Sequence, residues 1–231
     1  AGNAQITNNA GQTVAFRDNS TAGNAVIVNN GGLNFVQFAT GGNATLVTNA
    51  GGITDFSPST GPNNDGKLSA GSIAGAGSYV LGTNELTVGG NNSSTTVSGV
   101  ISGNGSLVKT GTGTLTLSGA NSYRGETVVR AGTLQTAATN TLPSNTAVSV
   151  ESAGTLALAG FNQRIGSLAG SGAVDLAAGA VLETGGNNTD TTFSGTLGGS
   201  GGLTKQGAGR MGLSGTSTYS GATTVEAGEL A

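Results

Sequence analysis

The feature of this chain that most constrains its fold is an internal repeat. The segment GNGSLVKTGTGTLTLSGANSYRGETVVRAGTL, residues 103–134, returns as GSGGLTKQGAGRMGLSGTSTYSGATTVEAGEL, residues 199–230. The register has no gap, so Lys109 corresponds to Lys205, which lies 96 residues further along. Chains that repeat in this way typically form solenoids, whose stability comes from stacking similar units rather than from one globular core. We therefore expect a solenoid.

The long repeat also extends towards the N-terminus. GSIAGAGSYVL from Gly71 matches GSLAGSGAVDL from Gly166, so the two copies comprise residues 71–134 and 166–230. The intervening stretch, residues 135–165, contains SAGTLALAG, which is similar to the AGTL that ends the first copy. This similarity predicts a further turn of the same kind between the copies.

A shorter repeat occupies the first 57 residues. Its copies are GNAQITNNAGQTVAF from Gly2, GNAVIVNNGGLNFVQF from Gly23 and GNATLVTNAGGITDF from Gly42. The alternation of apolar and polar residues predicts strands with one inward face. A strand, a turn and a second strand in about 20 residues is typical of one coil of a parallel β-helix. The side chains expected to stack in successive coils are the asparagines Asn9, Asn30 and Asn49 and the phenylalanines Phe16, Phe38 and Phe56.

These repeats predict an all-β chain of three segments. Residues 1–57 form the short-repeat coils, and residues 71–231 form further coils that continue the first segment. Between them, SPSTGPNNDGKLS is rich in turn residues, and we interpret residues 58–70 as a protruding loop. A domain boundary at this point is the alternative interpretation.

Comparison of the two long copies predicts which residues point inward. Thr127 and Val129 recur as Thr223 and Val225, whereas Arg130, on the opposite face of the strand, is replaced by glutamate. Close packing constrains only the interior, so the recurring positions are predicted to face inward and the variable ones outward. The core is also expected to contain Leu115, Leu117, Met211 and Leu213.

The composition excludes several classes of function. The 231 residues include 44 glycines but no cysteine or histidine, which excludes disulfides, thiolate chemistry, imidazole catalysis and the usual zinc sites. The net charge is −3 and no basic run occurs, so nucleic acid is not an expected partner. No apolar run approaches the roughly 20 residues that span a bilayer, and we expect a soluble chain whose export signal or anchor lies outside it.

Three motifs could have carried chemistry. GNGSLVKT, residues 103–110, resembles a phosphate-binding loop, but valine precedes its lysine where that motif requires glycine, and a strand with a turn is the better interpretation. We accordingly expect Lys109 and Lys205 to be solvated charges on the outside of a coil. The oxygen-rich segments 63–66 and 187–190 do not have the spacing of known calcium loops.

Paired carboxylates are the remaining route to an enzyme, because glycosidases act with two acidic side chains on either side of the scissile bond. Glu126 and Arg130 share a strand face, and we expect them to pair with charges on adjacent coils. The aromatic residues are expected to fill the core rather than to form a sugar-binding platform. We predict no catalytic, cofactor-binding or metal-binding residues, and no cofactor. The carboxylates are spread thinly along the chain: Asp18, Asp55, Asp65, Glu85, Glu126, Glu151, Asp175, Glu183, Asp190, Glu226 and Glu229.

The two copies LVKTGTGTLTLSGANSYRGETVVRAGTL and LTKQGAGRMGLSGTSTYSGATTVEAGEL closely resemble the passenger-associated transport repeat of bacterial autotransporters. Met211, where that pattern has leucine, is a departure. The resemblance implies a right-handed single-stranded parallel β-helix, which would have about ten or eleven coils at this length. It also implies an exported passenger fragment of a Gram-negative bacterium, secreted or held at the cell surface, with an outer-membrane β-barrel elsewhere in the full-length chain.

Two classes of function follow from this resemblance and from the residues. The favoured class is a structural stalk or adhesin-like passenger, not an enzyme, whose repeats assist secretion and folding outside the cell. Its partners would be host or bacterial surface molecules. The alternatives are a β-helical enzyme that acts on polysaccharides and a subunit that associates end to end into filaments.

Overall fold

The structure is a computed structural model that describes residues 1–231. It contains only strands and connecting turns, and hence no helix that is long and apolar enough to cross a membrane. The strands are β1 (Gln5–Asn8), β2 (Thr13–Phe16), β3 (Val26–Asn29), β4 (Gly32–Phe35), β5 (Thr45–Thr48), β6 (Ile53–Asp55), β7 (Lys67–Ala70), β8 (Ser72–Ala74), β9 (Ser78–Val80), β10 (Glu85–Val88), β11 (Thr95–Val97), β12 (Ile101–Ser102), β13 (Ser106–Lys109), β14 (Thr114–Leu117), β15 (Thr127–Thr136), β16 (Ala147–Ala157), β17 (Gln163–Arg164), β18 (Ser167–Gly170), β19 (Ala173–Leu176), β20 (Val181–Thr184), β21 (Thr191–Phe193), β22 (Thr196–Gly199), β23 (Gly202–Lys205), β24 (Arg210–Leu213), β25 (Thr223–Val225) and β26 (Glu229–Leu230).

The strands stack in three rows along the molecule, and every pairing is parallel. Row 1 contains β1, β3, β5, β8, β11, β14, the second halves of β15 and β16, β19 and β22. Row 2 contains β2, β4, β6, β9, β12, β17, β20, β23 and β25. Row 3 contains β7, β10, β13, the first halves of β15 and β16, β18, β21, β24 and β26. Strands β1–β6 alternate between rows 1 and 2, and from β7 onward the coils also contribute strands to row 3. This stacking confirms the predicted parallel β-solenoid, with about 11 turns.

One continuous core of 39 buried residues runs through the solenoid. Like side chains stack on like, because the register of row 1 aligns Ile6, Ile27 and Leu46. Further along the same row, Leu134 pairs with Leu115 on one side and Leu156 on the other, so the turn predicted between residues 135 and 165 is present. Each fully buried side chain of this size contributes about 1.5–3 kcal/mol.

The inward positions are those that recur between the long copies. Thr127 and Val129 are buried and Arg130 is exposed, as expected. Of the further predicted core residues, Leu115, Leu117 and Met211 are buried, and Leu213 is half-buried against the core. Thr223 and Val225, on the last turn within residues 1–231, are exposed.

The phenylalanine stack differs from the prediction at one position. Phe35, and not Phe38, lies between Phe16 and Phe56, with ring centroids 5.3 Å and 4.9 Å apart and nearly parallel planes. Phe38 is 39% exposed. The prediction was wrong because it aligned the ends of the repeats, whereas the register of β2 with β4 pairs Phe16 with Phe35. The extra residue of the second copy is accommodated after the strand.

Asparagine ladders line the N-terminal turns, in part where predicted. The Asn49 side chain donates to Asn30 Oδ1 at 2.8 Å, but Asn30 donates to the carbonyl of Asn8, so Asn9 is not in the ladder. The sequence comparison missed a buried pair, in which Asn8 Nδ2 donates to Asn29 Oδ1 at 2.7 Å. It also missed an outer ladder formed by Asn3, Asn24 and Asn43.

The segment predicted as a loop at 58–70 contains both a loop and a strand. Lys67–Ala70 form β7, which pairs with β10 and buries Leu68 and Ala70. The loop before it is held to the solenoid by Ser59, whose hydroxyl lies within hydrogen-bonding distance of the carbonyl oxygens of Ala39, at 2.7 Å, and Gln37, at 3.0 Å. The non-strand part is therefore shorter than predicted, because the period-2 pattern of KLSA places two small apolar residues in the core.

The two long copies lie on different rows of the solenoid. In the first copy β13 is in row 3 and β14 in row 1, whereas their equivalents β23 and β24 are in row 2 and row 3. One turn takes about 20 residues, so a spacing of 96 is not a whole number of turns. Equivalent residues of the two copies consequently face different directions around the axis.

Candidate functional site

A buried lysine marks the same corner in each long copy. Lys109 ends β13 and is 1% exposed, and its Nζ donates to the carbonyl oxygens of Thr110 at 2.6 Å, Gly111 at 3.0 Å and Ala131 at 3.2 Å. Two of these carbonyls belong to the turn that follows the strand, and the third belongs to the next coil. The lysine therefore ties two successive coils together.

The second copy repeats this geometry almost without change. Lys205 is 1% exposed, and its Nζ donates to the carbonyls of Gln206 at 2.6 Å, Gly207 at 2.9 Å and Ala227 at 3.2 Å. An ammonium group has three N–H donors, and each lysine finds three carbonyl acceptors. Neither lysine forms a salt bridge.

The prediction that Lys109 and Lys205 solvate the outside of a coil was wrong. Lys109 lies in register between Val88 and Val129, which are both buried core residues. Its position two residues after the buried Leu107 has inward parity, and this signal was available in the sequence. The aliphatic stem fills the core column while the ammonium group reaches the corner carbonyls.

Burial lowers the pKa of the Lys109 amine from its usual value. Hydrogen bonds from a charged donor to carbonyls are stronger than neutral ones, and they offset part of the cost of removing the ammonium group from water. Next to the lysine, the chain passes from row 3 to row 1 through Gly132, whose φ is +66°. A Cβ there would lie 2.3 Å from the Gly111 carbonyl oxygen, so the corner requires glycine.

A tyrosine and threonine pair forms the second shared feature of the copies. The hydroxyls of Tyr123 and Thr127 are 2.6 Å apart, and those of Tyr219 and Thr223 are also 2.6 Å apart. In the first copy the Thr127 hydroxyl also lies 3.0 Å from the hydroxyl of Thr146, a residue of the next coil. Complete burial raises the pKa of Tyr123 far above its usual value.

The other candidate motifs occupy ordinary positions in the solenoid. In GNGSLVKT, Ser106–Lys109 form β13 and the residues before it form a turn, as predicted. Arg130 pairs with Glu151 of the next coil at 3.4 Å, whereas Glu126 forms no salt bridge. No three acidic side chains lie close enough together to hold a metal ion, and segments 63–66 and 187–190 are surface turns.

Comparison with known proteins shows that both lysine corners lie within segments that match a known repeat family. The model of the passenger-associated transport repeat family matches residues 107–136 and 203–231, which begin two residues before each buried lysine. The chain is also 33% identical over 229 residues to a protein named "Adhesin BmaC autotransporter", from Brucella suis biovar 1 (strain 1330). That alignment covers 95% of this chain but 7% of the relative, so the chain spans a small part of the length of the protein it matches. No solved structure matches the chain.

The family model and the structure agree on which residues define the repeat. In the first copy the matched residues contain the buried lysine, the tyrosine and threonine pair, and the glycine corner, each of which contacts a neighbouring coil. Residues 107–136 and 203–231 are therefore two copies of the passenger-associated transport repeat, in a chain that is similar to an autotransporter adhesin over 95% of its length.

Proposed function

We propose that this chain is part of an exported autotransporter passenger and acts as a structural, adhesin-like scaffold at the surface of a Gram-negative bacterium or after release from it. The observation that carries this proposal is the 33% identity to an autotransporter adhesin along 95% of the chain. Partners on the host or bacterial surface, and an outer-membrane β-barrel in the full-length protein, follow from the same similarity and are part of the proposal.

A non-enzymatic role fits the distribution of charge. The carboxylates lie on all three rows, for example Asp55 on row 2, Glu85 on row 3 and Asp175 on row 1. A glycosidase needs two carboxylates across one bound sugar. Glu183 and Glu226 both accept hydrogen bonds from the side-chain amide of Gln206, so this acidic pair is held apart by a neutral group and does not line a sugar site. This arrangement favours the scaffold over the polysaccharide-acting enzyme.

We further propose that the transport repeats assist secretion by making each new coil stable as soon as it stacks. Lys109 can complete its three hydrogen bonds only when Ala131 of the following coil arrives, and Lys205 depends in the same way on Ala227. Folding coil by coil outside the cell would then favour forward movement of the chain.

A display assay tests this secretion role. The chain would be placed between an export signal and an outer-membrane β-barrel, and the amount at the cell surface measured by protease accessibility. The double variant Lys109→Met and Lys205→Met should lower surface display several-fold. Arg130→Ala, which removes only an exposed ion pair, is the control and should display normally. Equal display of the lysine variant, with its reduced stability verified on the purified chain, would contradict the secretion role and leave the scaffold role standing.

A further inference from the structure

A polar groove opens on row 2 in the middle of the solenoid. It lies between residues 121–124 of one coil and residues 143–146 of the next, and its volume is about 510 Å³. Volumes of this size are typical of small-molecule sites. The groove interrupts a row whose neighbouring coils are paired by regular strands.

The groove is built into the sequence by one extra residue and a proline. The Asn121 side-chain amide donates to the carbonyl of Thr141, and these residues are 20 positions apart. The Thr146 hydroxyl donates to the carbonyl of Gly125, and these residues are 21 positions apart, so the second coil contains one extra residue between the two contacts. The additional residue is taken up in a turn closed by the Thr146 amide and the Pro143 carbonyl at 3.0 Å. Pro143 has no N–H to continue the strand ladder, so the two coils separate here.

The walls of the groove present hydrogen-bonding groups and one positive charge. Ser122, Ser144 and Asn145 are exposed, and the backbone N–H groups of Ser144 and Asn145 have no partner within the chain. Arg124 is exposed on the same wall, and neither of the two salt bridges includes it. Its guanidinium group is therefore free to bind an anion.

Comparison of the two long copies separates Arg124 from the residues that maintain the fold. The neighbouring Tyr123 is retained as Tyr219, but Arg124 is replaced by Ser220. The backbone of Arg124 pairs with Gly103 just as that of Ser220 pairs with Gly199, so the coil does not need the arginine side chain. The side chain of Arg124 therefore borders the groove without being needed for the structure of the repeat.

From this arrangement we propose that the groove binds a carboxylated sugar, such as a hexuronic or sialic acid residue of a glycan. The guanidinium fork of Arg124 pairs with the planar carboxylate through two parallel hydrogen bonds. Ser122, Asn145 and the free amides of the 143–146 turn bind the sugar hydroxyls. Only one of the eight residues that line the groove is hydrophobic, which disfavours a lipid or an apolar peptide. This site would deepen the scaffold role proposed above by giving the scaffold a ligand, and it rests on the groove rather than on export.

Titration of the purified chain with defined saccharides, followed by NMR or calorimetry, tests the proposal. The probes are trigalacturonic acid, 3′-sialyllactose and the neutral trisaccharide obtained when the carboxyl groups of the first are reduced. At least one acidic probe should bind and the neutral one should bind at least about tenfold more weakly, because it cannot form the charge-assisted hydrogen bonds to Arg124. Arg124→Ser, which copies the second repeat, should weaken binding by about the same factor.

Arg164→Ser is the matched control, because Arg164 is also exposed on row 2 but lies on β17, outside the groove. It should leave the affinity unchanged, and the circular dichroism spectrum should be the same for wild type and both variants. Absence of binding by both acidic probes would overturn the proposal, as would equal binding of the neutral probe or equal loss in Arg164→Ser. None of these results would bear on the scaffold role. Competition by inorganic sulfate as strong as by the sugar acids would show a general anion site and would also overturn it.

Discussion

The two transport repeats have nearly the same internal geometry but very different surroundings. Their lysine hydrogen bonds agree within 0.1 Å, and their tyrosine and threonine hydroxyls are equally close. Yet Val129, which stacks on Lys109, is fully buried, whereas Val225, which stacks on Lys205, is 48% exposed. Within residues 1–231, the first copy is covered by coils on both sides, whereas the second is covered on one side only.

This difference shows that the sequence of the repeat determines the hydrogen-bond geometry of the lysine corner, whereas the next coil determines how deeply that corner is buried. In a solenoid, stability is approximately a sum of the intrinsic stability of each repeat and the interfaces between neighbours. The same substitution in the two copies should therefore change stability by different amounts. Paired substitutions are the direct way to test that conclusion.

The largest effect is expected from removing the buried lysines. Lys109→Met keeps the aliphatic stem but removes the three hydrogen bonds that the ammonium group donates to the corner carbonyls, and it should lower the free energy of unfolding by about 3 kcal/mol. Lys205→Met should cost about 1 kcal/mol, because the open last turn lets water reach the carbonyl of Ala227. Urea denaturation followed by circular dichroism measures both values.

Hydrogen exchange of the amides in β15 and β25 would show whether each loss is local to its corner. If Lys109→Met and Lys205→Met cost the same, burial by the next coil does not control the strength of the lysine contacts.

An intermediate effect is expected at alkaline pH from a tyrosine that lies in the covered part of the solenoid. The Tyr79 hydroxyl lies 2.7 Å from the carbonyl oxygen of Ala74 and 2.9 Å from that of Leu46, so its single proton can be donated to either, and burial raises its pKa to about 12 from 10.0. The unfolded chain releases this proton first, so the contribution to stability is complete below pH 10 and is lost as the pH rises towards 12. The loss amounts to about 2–3 kcal/mol.

Urea denaturation of wild type and Tyr79→Phe between pH 8 and 12 isolates this contribution, because all other titrating groups are common to both proteins. Wild type should be the more stable below pH 10, and its advantage should disappear by about pH 12. Tyr219→Phe, on the open last turn, serves as a control for the loss of a tyrosine hydroxyl near the surface. An advantage of wild type that stays constant across this range would contradict the prediction.

The smallest effect is expected from copying one residue of the first repeat into the second. Thr184 lies below Lys205 in the position that Val88 occupies below Lys109, and its buried hydroxyl has no hydrogen-bond partner. Thr184→Val should raise the free energy of unfolding by about 1 kcal/mol, because an unsatisfied hydroxyl is replaced by a methyl group of similar size. The reverse variant Val88→Thr should lower stability, and both are measured by urea denaturation. A destabilising Thr184→Val would show that the hydroxyl is satisfied in solution.

The sequence predicted the fold well where period-2 alternation and the repeat agreed. The inward positions Thr127 and Val129, and the register of residues 131–134 with the coil that follows, were predicted correctly from the letters alone. The prediction that Lys109 lies on the outside was based on its charge. Its spacing of two residues from Leu107 indicates instead that both side chains point to the same, inward face of the strand. Phe38 was assigned to the stack because ends of repeats were aligned, when only strand register decides which rings meet.

The groove beside Arg124 could not have been found from the sequence. Neither Pro143 nor the 143–146 segment belongs to a motif, and the register change appears only when two coils are laid side by side. The placement of the two copies on different rows was hidden for a similar reason, since it depends on the number of residues in each turn of the solenoid.

By itself, the sequence of this protein determined a parallel β-solenoid, the alternation of inward and outward residues, and membership of a repeat family. These properties can be predicted because they are local or periodic along the chain, and similar repeats bury the same face of each strand. Only the tertiary structure decided that a lysine closes each corner from inside, that the copies face different directions, and which polar groups border an open groove. These properties depend on contacts between coils about 20 residues apart, where one extra residue in a turn changes which atoms meet.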